Sequence, residues 1–123
     1  MLAGQGSDVF TPTDLFGGEA DIVTGTGTIA AGNTVAQYEV LGQLTATGEY
    51  VPYNPAGEDG SQNAVAIANQ AIDASAGAVK GPIYLGGVFN PDALVWPEGA
   101  TDAQKATAFS GTNIALRTPG YSG

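Results

Sequence analysis

The chain has 123 residues and contains neither cysteine nor histidine. Without cysteine it has no disulfide framework and no thiolate nucleophile, and without histidine it lacks the commonest general base and zinc ligand. Serine triads, cysteine hydrolases and common zinc sites are therefore excluded. Glu58 and Asp59 are adjacent acids before Gly60, and a solvated turn explains them more simply than a cleft with two opposed carboxyl groups. We predict that the protein is not an enzyme and that it has neither a cofactor nor a metal site.

Basic side chains are scarce as well. Only Lys80, Lys105 and Arg117 oppose twelve acidic residues, so the formal net charge is -9. A field of this sign repels phosphate groups, which argues against nucleic acids and anionic membrane surfaces as partners. No apolar run approaches the length that spans a bilayer, and residues 1–10 lack the basic and apolar segments of a signal peptide. We expect a protein made in the cytosol, with no nucleic-acid or membrane partner.

Large apolar residues are sparse compared with glycine, alanine and threonine. The chain is long enough for one domain, but the core of that domain will be thin for its length. Small domains with thin cores are often completed by oligomerisation. An oligomer is therefore plausible on composition alone.

Residues 1–35 sustain neither the helical nor the strand period. The run of alternating threonine and glycine over residues 24–28 has high backbone entropy, which favours a flexible arm in the free protein over a stable local fold. A solvated tail has no need of large apolar side chains, so those in this arm predict docking on a partner. They are Val9, Phe10, Leu15, Phe16, Ile22 and Val23.

Strand signals follow the arm. Residues 36–44 are expected to be extended, and the Gly48-Glu49 pair predicts a hairpin turn into a short strand that Pro52 limits. Residues 54–60 have the composition of a loop. Two further strands are predicted. In the first, Val65 and Ile67 alternate with alanines, so the larger side chains should share one face.

The β-branched alternation favours this strand over an alanine-rich helix, and residues 71–72 are expected to continue it. Residues 76–77 should then turn, and residues 83–89 should form the second strand. The Gly86-Gly87 pair in this strand indicates a bulge or a close backbone approach.

Residues 94–116, which we call the closing segment, hold a complete set of boundary signals. Pro97 forces Trp96 into an extended conformation. Bonds between an aromatic residue and proline have a raised cis content, so the Trp96–Pro97 bond is compatible with either the cis or the trans isomer. Thr101 and Gln104 are spaced as a capping box, which predicts a helix over about residues 102–109 that exits through Gly111. The apolar residues of this segment are predicted to form the structural core or an intersubunit contact; they are Leu94, Trp96, Pro97, Phe109, Ile114 and Leu116.

The sequences LVWPEGATDAQK at residues 94–105 and TAFSGT at residues 107–112, with Ile114 beyond, closely resemble the C-terminal signature of phage head decoration proteins of the lambda protein D type. Weaker similarity extends back to about residue 44, and residues 1–35 show no similarity to the family that can be aligned. The strand and helix signals together predict a small, mainly β, single domain with many loops and one short helix. The resemblance implies the β-tulip-like decoration-protein fold. We expect an extended or flexible N-terminal arm at residues 1–35, a compact β-rich domain at residues 36–117 and a flexible tail at residues 118–123. The resemblance implies that the arm binds the capsid.

The same resemblance implies a function without catalysis. Homotrimers of this family bind the major capsid protein at threefold positions on the outer surface of a tailed-phage head. They act as cement that stabilises the expanded capsid of the virion against the pressure of packaged DNA. The protein would be made in the cytoplasm of the bacterial host.

An alternative from another class is a carbohydrate- or host-surface-binding module displayed on the virion. In that case Trp96, Tyr50, Tyr53 and Tyr84 would provide exposed faces on which sugars stack.

Overall fold

The computed structural model of this chain describes residues 22–117, which form a mainly β domain with one short α-helix, as predicted. The α-helix, α1, covers Asp102–Thr107, and a 3-10 helix covers Pro91–Ala93. The strands in chain order are β1 (Val23–Ile29), β2 (Thr34–Val35), β3 (Val40–Gln43), β4 (Tyr50–Pro52), β5 (Ala64–Ala68), β6 (Ile72–Asp73), β7 (Val79–Phe89) and β8 (Asn113–Leu116).

Five of the strands form a barrel-like sheet. Antiparallel pairing connects β1 to β7, β7 to β5, β5 to β3 and β3 to β4. Strand β4 returns to β1 through one parallel pair, Ile29 with Tyr50, so the sheet closes only at that end of β1. Strand β8 adds to β7 in parallel, and β2 with β6 forms a separate antiparallel ribbon.

The sheet packs apolar side chains against both of its faces, because successive residues of a strand point to opposite sides. Leu41 belongs to an inner core and its neighbour Val40 to an outer core. The inner core comprises Ile29, Val35, Leu41, Ala66, Ala68, Ile72, Ala74 and Ile83. The outer core, to which the closing segment contributes, comprises Val40, Tyr53, Ala64, Ile67, Phe89, Leu94, Phe109 and Ile114.

Strand β5 is present as predicted, but Val65 and Ile67 do not share a face. The pairing with β3 shifts between Leu41 and Gly42, whose partners are Ala66 and Ala64, so Val65 is the extra residue of a bulge. As a result Val65 packs against the inner core and Ile67 belongs to the outer core. The expected alternation over the whole strand is therefore wrong.

The expectation of a flexible segment is wrong for residues 23–29, which form β1 and pair with β7 from end to end. A Cβ atom at Gly25 would lie 2.6 Å from Leu85 Cδ1, and one at Gly27 would lie 2.7 Å from Ile83 Cδ1 and 2.8 Å from the Tyr50 ring. The glycines are thus required because larger side chains of other strands occupy the space beside them. Residues 34–35 are also in a strand, so of the predicted arm only residues 1–21 lie outside the described residues.

Two other boundaries differ from the prediction. Residues 36–44 are not extended throughout, because Tyr38 has a positive φ of 68° and Glu39 N–H donates to the Ala36 carbonyl, which makes a turn before β3. Residues 72–73 do not continue β5 but form β6, which pairs with β2. By contrast, the hairpin turn at Gly48 and the loop at residues 54–60 are present as predicted.

Strand β7 carries the predicted irregularity at its glycine pair. The register with β1 shifts so that Val23 pairs with Gly86 and Thr24 with Tyr84. Gly87 has a φ of 132°, in the region that favours glycine, and Ile22 Cδ1 would lie 2.9 Å from a Cβ there. Both reasons for a glycine, backbone conformation and close approach, therefore hold at this position.

The closing segment is attached to the sheet at both of its ends. At its start, a parallel bridge joins Val95 to Glu39, with Val40 N–H donating to the Val95 carbonyl at 3.0 Å. At its end, β8 pairs with the last four residues of β7. The outer core is enclosed between these two attachments.

Helix α1 begins with the capping box that its sequence predicts. Gln104 N–H donates to Thr101 Oγ1 at 3.0 Å, and Thr101 N–H donates to Gln104 Oε1 at 2.8 Å. The helix ends at Thr107, two residues earlier than predicted, because Ala108 is extended and Phe109 has a φ of 67°. This reversal places the Phe109 ring in the outer core.

The packing around β1 gives a direct test of the fold. We expect Gly27→Ala to lower the free energy of unfolding by about 1–3 kcal/mol, since its methyl group must displace Ile83 or Tyr50. Gly77→Ala is the matched control: beyond its two chain neighbours, no residue has an atom within 4 Å of the added Cβ. Its effect should stay within about 1 kcal/mol and can be stabilising. Urea unfolding at one protein concentration measures both. Equal effects of the two substitutions would show that residues 24–28 are not a packed strand.

Candidate functional site

Both ends of the described chain emerge at the same end of β7. Strand β1 runs antiparallel to β7 and starts with Val23 opposite Gly86, whereas β8 runs parallel to β7 and finishes with Leu116 opposite Phe89. The chain therefore enters β1 and leaves β8 at the Phe89 end. Because Gly86 is paired with both Val23 and Asn113, the two strands flank β7 on opposite edges.

An apolar pair marks the point where the chain enters the sheet. Ile22 and Val23, which we call the arm root, are 40% and 48% exposed and belong to the predicted capsid-binding residues. They lie against Gly87 and Gly86, next to β8. Four other predicted binding residues, Val9, Phe10, Leu15 and Phe16, lie outside the described residues, so their role stays a prediction.

The candidate residues of the closing segment divide into two groups. Leu94, Phe109 and Ile114 are buried, whereas Trp96, Pro97 and Leu116 are partly exposed. All except Pro97 belong to the outer core or pack against it. The bond between Trp96 and Pro97 is trans. A core position fits the buried group, and the partly exposed group still has surface for an intersubunit contact.

Trp96 is held in one orientation by several neighbours. Its Nε1–H donates to the Pro91 carbonyl at 2.9 Å. Its ring makes edge contacts with Tyr53 and Phe109, at centroid distances of 6.3 and 6.4 Å, and the Lys105 ammonium lies 5.8 Å from its centroid. These contacts occupy the indole as a structural anchor.

A sugar-stacking platform needs an exposed aromatic face. Among residues 22–117 the large apolar side chains with the greatest exposure are Ile22, Val23, Val79 and Val95, and none is aromatic. Tyr53 is buried, while Tyr50, Tyr84 and Trp96 are partly buried against the two cores. The alternative of a carbohydrate-binding module therefore has no support from the described surface.

Three of the described carboxylates accept hydrogen bonds from nearby residues of the chain. Hydrogen bonds from Ser61 lower the pKa of Asp59, and hydrogen bonds from Ser75 lower the pKa of Asp73, so both stay ionised as turn-stabilising acceptors. Burial raises the pKa of Glu39, and the Ala36 N–H that donates to its carboxylate partly offsets this rise.

Residues 22–117 contain no cluster of three potential metal ligands. No helix within that range has the length and apolarity needed to cross a bilayer.

The edges of the sheet differ in how they are protected. Strand β4 carries Pro52, which has no N–H to offer. On β8, Ile114 N–H donates to the Thr112 hydroxyl at 3.1 Å, so a side chain already caps that edge. Beyond its single pair with β4, the edge of β1 that faces away from β7 has no strand partner within the described part of the chain. We call this edge, over residues 23–28, the open edge. Sequence reasoning missed it because it predicted no strand there.

Comparison with known proteins agrees with the resemblance carried by the closing segment. The model of the family described as bacteriophage lambda head decoration protein D matches residues 9–115. No curated protein sequence matches the chain significantly. The family match starts well before residue 36, so it includes β1 and most of the predicted arm, where the sequence alone showed no signature. The chain therefore belongs to the bacteriophage lambda head decoration protein D family, which gives it a structural role in decorating the phage capsid.

Proposed function

We propose that this protein binds the outer surface of a tailed-phage head as homotrimers at threefold positions and stabilises the expanded shell against the pressure of packaged DNA. Its partners are the major capsid protein and its own copies, and it performs no catalysis. It is made in the host cytoplasm and joins the virion after synthesis. The family membership supports the capsid role. The observation that carries the finer proposal is the arm root, an exposed apolar pair where residues 1–21 meet the sheet.

The energetics favour attachment through several weak contacts. Burial of one large apolar side chain contributes about 1.5–3 kcal/mol before the cost of ordering the backbone. Ile22 and Val23 are already positioned by the sheet, so their burial needs little further ordering. In a trimer three arms bind as one unit, and this multivalency turns modest single contacts into firm attachment.

We also propose a revised division of the chain. The arm comprises residues 1–22, and the compact domain extends over residues 23–117, because β1 is part of the barrel-like sheet. Partly exposed apolar residues of the compact domain are the candidates for the trimer contact, among them Trp96, Leu116 and Val95. The net charge of -9 fits a partner that is protein and not DNA.

Deletion of residues 1–21 tests the arm while leaving β1 intact. We expect binding to expanded empty heads to weaken by about a hundredfold or more, since all three arms of a trimer are lost together. A full-length variant with Val9, Phe10, Leu15 and Phe16 changed to serine keeps the length and charge of the arm, and it should lose binding similarly. Sedimentation of heads with bound protein measures both variants. Undiminished binding of the deletion variant would show that the arm is not part of the interface with the capsid.

The mass of the free protein tests the trimer. Light scattering should give about three times the 12.3 kDa of one chain. The variant without residues 1–21 should keep three copies, because we assign the trimer contact to the compact domain. A monomeric mass of the full chain at high concentration would contradict the trimer. A monomeric mass only after removal of residues 1–21 would show that the arm makes the trimer contact.

A further inference from the structure

A cavity of about 150 Å³ lies between the start of β5 and the end of α1. Tyr53, Gln62, Asn63 and Ala64 line one side of it, and residues 107–110 line the other. We call it the Tyr53 cavity. It shares no residue with the arm root or with the open edge.

The Tyr53 side chain is buried but its hydroxyl is unpaired. Tyr53 is 6% exposed and belongs to the outer core with Phe109, which forms part of the opposite wall of the cavity. Its ring has an edge contact with Trp96, but within residues 22–117 its hydroxyl has no hydrogen-bond partner. Burial raises the pKa of Tyr53, so the hydroxyl stays protonated and can donate. Because buried polar groups almost always have a partner, this hydroxyl is available to a ligand in the cavity.

The other polar groups of the cavity are neutral amides and hydroxyls. The Asn63 side chain has no hydrogen-bond partner in the described part of the chain. Gln62 Oε1 accepts from Gly60 N–H at 2.8 Å, which leaves the Gln62 amino group to donate. Ser110 Oγ donates to the Thr107 carbonyl at 2.7 Å, which leaves its lone pairs to accept. The cavity thus offers donors and acceptors together, and a primary amide carries the complementary pair.

Charge and size narrow the class of ligand further. None of the described residues that line the cavity is charged, so an ionised group would lose its hydration without gaining a counter-charge. The net charge of -9 also repels carboxylates. The volume is below the roughly 300–1,000 Å³ of sites for drug-sized ligands, and a cavity of about this size holds one benzene-sized molecule. One neutral amide side chain fits, whereas a nucleotide or an oligosaccharide does not.

The position of the cavity indicates where this side chain comes from. Strand β5 begins at Ala64 and runs antiparallel to β7, with Ile67 opposite Tyr84. Its first residues therefore lie toward the Phe89 end of β7, which is also the end of the arm root. A capsid surface that covers the arm root is therefore placed to reach the cavity as well.

We propose that the Tyr53 cavity binds an asparagine or glutamine side chain of the major capsid protein, whose amide group pairs with the Tyr53 hydroxyl and the Asn63 side chain. The inference rests on the proposed function and goes beyond it by assigning a polar anchor site within the compact domain. Side chains that fill such desolvated pockets often carry a large share of the binding energy of an interface.

Removal of the hydroxyl alone tests the proposal. We expect Tyr53→Phe to bind expanded empty heads about tenfold or more weakly than the wild type, because one hydrogen bond is lost in each copy of a trimer. Its melting temperature should not fall, since the hydroxyl has no partner in the free domain. Tyr50→Phe is the matched control: Tyr50 packs against the inner core and pairs with Ile29, at the far end of β1, so this variant should bind like the wild type.

A small probe tests the chemistry of the cavity without the capsid. Acetamide is a neutral primary amide, and acetate has the same shape with a negative charge. We expect acetamide to shift the backbone amide NMR signals of Asn63, Ala64 and Ser110 saturably in the free protein, with a dissociation constant roughly in the millimolar range. Acetate should leave these signals unchanged, and Tyr53→Phe should abolish the acetamide shift.

The outcomes separate this inference from the proposed function. Wild-type binding to heads with unchanged binding of Tyr53→Phe would overturn the capsid side chain as the occupant and leave the decoration role intact. A lower melting temperature of Tyr53→Phe would show that the hydroxyl stabilises the free domain, which also overturns the proposal. Absent acetamide shifts, or equal shifts with acetate, would contradict the amide site. Absence of wild-type binding would overturn the decoration role and with it the assignment of the occupant.

Discussion

Strand β7 is the element on which the rest of the structure depends. Its eleven residues pair with β1, β5 and β8, and its side chains reach both cores. Ile83 is in the inner core and Phe89 in the outer core, both fully buried. A chain with few large apolar residues can support two cores because one central strand serves both. The glycines of β1, and Gly81 and Gly86 of β7, are required in this arrangement because each makes room for a side chain of another strand.

The sequence predicted the elements whose signals are local. The capping box of Thr101 and Gln104, the hairpin at Gly48 and the glycine pair of β7 depend on neighbouring residues, and all three are present. Strand β1 depends on Leu85, Ile83 and Tyr50, which are distant in sequence, so its threonines and glycines resembled a linker. The bulge at Val65 and the pairing of β6 with β2 are likewise set by partner strands. Of the candidate site, the apolar arm root could be predicted, but the open edge could not, because it exists only once β1 is placed in the sheet.

The structure also changes how the two ends of the chain relate to each other. From the sequence, the closing segment completes the domain and the arm binds at the opposite end of the chain. In the fold, β1 and β8 flank the same strand, and Val23 and Asn113 share Gly86 as their partner. The surface that we propose for capsid binding is therefore supported by the closing segment.

The central claim is that β1 is a folded strand with one paired and one open edge. Amide hydrogen exchange of the free protein, followed residue by residue by NMR, tests it most directly, because exchange is slow only where the N–H is bonded within stable structure. We expect alternation along one short run, with slow exchange at Gly25, Gly27 and Ile29 and fast exchange at Thr24 and Thr26. Uniformly fast exchange would show that the run is a flexible arm, and uniformly slow exchange would show that the edge is already covered; either result would contradict the account.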